Sequence, residues 1–96
     1  MEHLSEEELN FLYDVMLSLK NREECKRLFS DLCTERELSA MAQRLSVARL
    51  LKQGKTFTEI EEETGASSAT IARINRRLHY GSGGYSLVLD EFTAEG

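Results

Sequence analysis

Three arginines close behind a run of small polar residues form the part of this sequence best equipped for chemistry. Arg73, Arg76 and Arg77 follow Ser67, Ser68, Ala69 and Thr70, and Lys52 and Lys55 stand on the far side of the segment from Thr56 to Gly65. Arginines at this spacing supply charge for a phosphate backbone. Small hydroxyl and methyl side chains let a backbone approach phosphates, base edges or a thymine methyl. Covalent chemistry has less to work with. His3 and His79 lack Cys or acidic partners at metal-ligand spacing. Ser82 lacks the strand, base and acid of a hydrolase elbow, and Gly81–Gly84 lacks the Lys-Ser/Thr ending of a P-loop. Cys25 and Cys33 are expected on an apolar helix face, as buried thiols and not nucleophiles. The chain is therefore expected to be no enzyme, and to need no metal or other cofactor.

The elements that hold the arginines are marked by their starts. Ser5-x-x-Glu8, Asn21-x-x-Glu24, Thr34-x-x-Glu37 and Thr56-x-x-Glu59 each set a short polar residue three before a Glu, the spacing of a capping box. Each is followed by helical periodicity. Leu9, Leu12, Met16 and Leu19 share one face with Val15 beside them. Cys25, Leu28, Phe29 and Leu32 share a second face. Leu38, Met41, Leu45 and Ala48, with Val47 and Leu51, share a third. Gln53-Gly54 ends the third helix. A fourth is expected over Thr56–Thr64, a fifth from Ser67 or Ser68 through Leu78, and a short last one over Tyr85–Phe92. Between them Gly81–Gly84 reads as a flexible break, and residues 93–96 as a frayed tail. The fold class is all-α, with about six short helices in one domain spanning residues 1–96.

The fourth and fifth helices form a recognisable pair over about residues 56–78. Gly65 supplies turn backbone that a residue with a Cβ adopts poorly, and Ile60, Ala66, Ile71 and Ile74 are the apolar residues that lock two helices at a steep angle. That is the layout of a helix-turn-helix, whose second helix enters the major groove by its N-terminal end. An ordinary αα-hairpin with a glycine turn has the same outline but does not require small leading residues. The DNA-facing set is then Lys55, Thr58, Ser67, Ser68, Ala69, Thr70, Arg73, Arg76 and Arg77.

Charge is distributed to match. The chain of 96 residues carries a net charge of −5, yet residues 44–80 hold seven basic and four acidic side chains. An acidic body with one basic segment directs an anionic partner to that segment. Glu61, Glu62 and Glu63 oppose this reading, because an acid facing phosphates costs affinity. No apolar stretch approaches the roughly 20 residues that cross a bilayer, so no membrane is expected. Cys25 and Cys33 are eight residues apart, about 12 Å along a helix, too far for a disulfide. A reducing cytoplasm is the expected compartment. Six short helices in so short a chain have difficulty burying their apolar faces alone, and pooling the faces of two chains is the economical answer.

From about Leu32 to Arg76 the sequence resembles the Trp repressor family. The shared features are the Thr-x-x-Glu cap, the Arg-rich third helix, the Leu-Leu-x-x-Gly stop and the Gly-Ala-x-x-Ala-Thr-Ile-x-Arg core. With Met-Ala-Gln-Arg and Asn-Arg-x-Leu-x-Tyr-Gly-Ser it is most similar to the small YerC/YecD group. The resemblance implies an intertwined homodimer that reads a palindromic operator in double-stranded DNA, and so regulates transcription as a repressor. It also implies a corepressor pocket at Thr34, Arg44 and Arg73, if one residue is deleted near Gly54; a gapless alignment puts Cys33 and Gln43 there instead. Two departures argue against tryptophan. Ile74 stands where the family has a Gly that leaves room for the ligand's ring, and Arg77 replaces a Ser that helps bind it. A competing function is a protein-interaction module that keeps the architecture without DNA binding, and a ligand sensor with another effector rests on Arg44 and Arg73 alone.

Overall fold

The computed structural model describes residues 5–93. Six helices and no strand occur among them: α1 (Glu6–Ser18), α2 (Arg22–Leu32), α3 (Glu35–Lys52), α4 (Phe57–Thr64), α5 (Ser68–Tyr80) and α6 (Gly84–Thr93). The all-α expectation is met. His3 and the end of the tail lie outside the described residues. The chain divides into two compact units, one ending at Glu35 and the other beginning at Arg36. No helix among the described residues is long and apolar enough to cross a membrane.

In the first unit the helix starts follow the sequence. Ser5 Oγ accepts the Glu8 N–H at 3.2 Å, and Asn21 Oδ1 accepts the Glu24 N–H at 2.9 Å. The Glu24 carboxylate reaches back one residue further than a capping box requires and accepts the Lys20 N–H at 2.9 Å. Neither α1 nor α2 contains a fully buried residue. Leu9, Val15, Met16 and Leu19 are only half-buried, and Leu12 and Leu32 are exposed. The expected buried thiols are a further correction. Cys25 and Cys33 are both free and half-buried, and Cys33 is not on the helix at all. Its backbone is extended at φ −119°, and it caps α2 by donating its N–H to Phe29 O at 3.0 Å.

The second unit owns the core. Val47 and Ala48 of α3, Ile60 of α4, Ala66 of the turn, Ile71 and Ile74 of α5 and Leu89 of α6 are buried together, with Leu50, Leu51 and Tyr85 packed on them. The four apolar residues expected to lock α4 to α5 are all in this cluster. The face expected for α3 is only partly right, since Leu38 and Leu45 are 40% and 47% exposed. Of the expected face Val47 and Ala48 are the residues fully buried, in the cluster with residues of α4, α5 and α6. Lys52 ties α6 to the end of α3: its Nζ pairs with Asp90 Oδ1 at 2.8 Å and donates to Ser86 Oγ at 3.4 Å. α6 runs one residue beyond the expected stretch at each end, and α5 continues two residues past Leu78.

Candidate nucleic-acid interface

The supporting helix α4 is fixed at both ends. At its start Thr56 Oγ1 accepts the Glu59 N–H at 3.1 Å while Glu59 Oε1 accepts the Thr56 N–H at 2.8 Å, a complete capping box. The Thr56 N–H is the main reason that the Glu59 carboxyl is held below its ordinary value of 4.5, with the Thr56 hydroxyl and Lys55 adding to the same effect. At its end Gly65 takes φ +76° and donates its N–H to Glu61 O at 2.9 Å. Thr64 braces this turn twice. Its hydroxyl donates to Ile60 O at 2.7 Å and accepts the Ala66 N–H at 3.1 Å. From the neighbouring helix, Gln43 Nε2 donates to Thr64 O at 3.2 Å. The angle between α4 and α5 therefore rests on buried side chains and a glycine that needs its positive φ.

Helix α5 starts at Ser67, whose Oγ accepts the Thr70 N–H at 3.2 Å and donates to Thr70 Oγ1 at 3.2 Å. Ser67, Ser68, Ala69, Arg73, Arg76 and Arg77 are exposed, and Thr70 is half-buried. With Ile71 and Ile74 inward, the opposite side of α5 carries Ala69, Ala72 and Arg76 at three- and four-residue spacing. Ala72 is a small, exposed residue that the sequence reading passed over. Its spacing from Ala69 is the signal that could have found it. Lys55 and Thr58 are exposed at the start of α4.

Thr70, Arg73 and Arg77 occupy a different flank. Together with Arg44 of α3 they line an open cleft of about 630 Å³. Arg44 and Arg73 line the same cleft, and Gln43 Nε2 donates to Thr64 O. Thr34 lies in the first unit. Ile74, 5% exposed, is at once core and cleft lining. Of the run Glu61–Glu63 on α4, Glu63 lines a second groove shared with Ser39 and Arg49 of α3, Glu61 is half-buried, and Glu62 is exposed opposite Ile60. No group of three His, Cys, Asp or Glu suited to a metal occurs among the described residues.

The chain is similar to proteins that share this arrangement. The family model for Trp repressor protein matches residues 7–93. YerC, an uncharacterized protein of Bacillus subtilis strain 168, is 51% identical over 90 residues, covering 94% of this chain and 86% of that one. Among solved structures, a Trp-repressor candidate from Staphylococcus aureus superposes with a TM-score of 0.89 at 46% identity, covering 95% of this chain and 91% of that one. A TrpR-like protein from Eubacterium eligens ATCC 27750 gives 0.88 at 39% identity, covering 94% and 93%. Fold and site define an all-helical protein with a helix-turn-helix. The chain belongs to the Trp repressor family.

Proposed function

We propose that this protein is a cytoplasmic, sequence-specific DNA-binding regulator that acts as a homodimer. The observation that carries the reading is the outward side of α5, where small residues and Arg76 project from a helix held at a fixed angle by Thr56, Gly65 and the Ile60–Ile71–Ile74 contact. Ser67, Ser68, Ala69 and Ala72 are small enough for the helix to enter a major groove closely. Arg76 and Lys55 supply backbone charge. Arg73 and Arg77 are turned into the cleft and stand apart from that set. Selection of duplexes from a random pool by the purified protein tests the proposal. A palindrome enriched over rounds supports it. Absence of enrichment at low salt favours the second reading, a protein-interaction module, whose specific support is Glu62 on the exposed side of α4.

A further inference from the structure

A hydrogen bond ties the body of α3 to the turn of the helix-turn-helix. Gln43 Nε2 donates to Thr64 O at 3.2 Å across 21 residues of chain, and the contact is partly buried. Thr64 closes α4, so its carbonyl is one that no later N–H of that helix can reach. Its hydroxyl is already engaged with Ile60 O and the Ala66 N–H. Gln43 therefore holds the residue from which the chain turns through Gly65 into α5. One turn further along α3, Val47 belongs to the buried cluster that also contains Ile60, Ile71 and Ile74. The helix pair is thus gripped by α3 at two points, one polar and one apolar.

We propose that Gln43 is a positioning residue: it fixes the tilt of the reading helix α5 against α3, and so sets the half-site spacing that the protein accepts. The inference rests on the DNA-binding reading above, including its homodimer. Apolar packing is non-directional and lets a helix pair rock on its contact, whereas a hydrogen bond weakens steeply away from its preferred distance and angle. Two anchors about 6 Å apart along α3 leave less room to rock than the apolar one alone. A reading helix that rocks can still enter a single groove. Two of them joined in a dimer must meet grooves one helical turn apart, and that requires a fixed tilt.

The test compares the wild type with Gln43→Met and Gln43→Glu. Methionine keeps the length of the side chain without a donor, and glutamate keeps its shape but turns an acceptor toward the Thr64 carbonyl. The contact is only partly buried, so water can serve Thr64 O, and both variants leave the buried cluster intact. Hydrogen exchange in the free protein is expected to quicken several-fold at the Gly65 and Ala66 amides and to stay unchanged at Leu89. Affinity is then measured for the palindrome selected from the random pool, and for versions with one base pair added to or removed from its centre. The wild type is expected to lose affinity at either altered spacing. Both variants are expected to bind the selected palindrome roughly three- to tenfold more weakly, to lose less at the altered spacings, and to bind an unselected duplex as the wild type does. Faster exchange at every amide alike, or equal weakening on every duplex, overturns the proposal, because that is general loosening. So does an unchanged spacing profile, or unchanged exchange at Gly65 and Ala66, when the palindrome is still bound by the wild type. If the pool yields no palindrome, the DNA reading itself fails and the proposal falls with it.

Discussion

Ser68 and Thr70 both stand in the first turn of α5, but their hydroxyls differ in what they already bind. Thr70 Oγ1 accepts from Ser67 Oγ at 3.2 Å and is half-buried beside the cleft, whereas the Ser68 hydroxyl is exposed and has no hydrogen-bond partner among the described residues. A free hydroxyl in the first turn can donate to, or accept from, a base edge without giving up an internal bond. Ser68→Ala is therefore expected to change base preference at one operator position by roughly 1–3 kcal/mol, if its contact is a good one. Thr70→Ala should alter preference far less. Arg76→Ala should weaken binding to every sequence alike and lower the salt slope by about one. Affinities of the three variants across a library of single-substitution operators measure all of this, and uniform weakening by Ser68→Ala would rule out direct readout there. The two helices and their turn were legible because the helix-turn-helix is a local pattern of glycine, caps and small residues. The turning of Thr70, Arg73 and Arg77 into a cleft was not. Its other walls are Arg44, which only the family resemblance placed near Arg73, and the start of α6, which neither spacing nor resemblance put there.

Helix starts were the most readable elements, and α4 shows why their chemistry matters to the site. Its capping box satisfies two N–H groups that no helical carbonyl can reach, and it orients the helix on which α5 leans. Thr56→Ala is expected to cost about 1 kcal/mol of stability. The Glu59 half of the box has a pH signature. A carboxyl whose folded value lies below its unfolded one stabilises the fold above the ordinary value of 4.5, and that contribution disappears as pH falls through the lowered folded value. Thermal unfolding of the wild type and Glu59→Gln should therefore differ at neutral pH and converge in acid. A gap of unchanged size below pH 4.5 would mean that the charge of Glu59 is irrelevant to the cap. Periodicity was a weaker guide on α3, where it put Leu38 and Leu45 in the core although both are substantially exposed. Apolar residues surround much of that helix, so spacing alone cannot say which edge its neighbours cover. Val47 and Ala48 were on the expected face; that they are buried while Leu38 and Leu45 are not is decided by the other helices, which is tertiary information.

At the scale of the whole molecule, apolar surface is unevenly disposed. Among the described residues the buried core lies in the second unit, while α1 and α2 bury no residue completely. Phe11 is 70% exposed and Leu17 83% exposed on α1, and Leu87 of α6 is 83% exposed as well. Burying apolar area yields roughly 25 cal/mol per Å², and a chain of this length has little core with which to offset the entropy of ordering two helices that bury so little. A second copy that covers these residues would supply the missing burial, and would also set two α5 helices on one duplex, as a palindromic operator requires. Folding and dimerisation are then a single equilibrium, so stability should rise with protein concentration. Sedimentation at micromolar concentration is expected to give twice the chain mass of 10.9 kDa. Leu17→Asp, which puts a charge on an already exposed position, should harm a lone chain little. It should instead lower the mass and the melting temperature together, because the charge is buried only when the partner docks. A folded monomer of wild-type protein, with a melting temperature independent of concentration and unmoved by Leu17→Asp, would show that α1 and α2 need no partner.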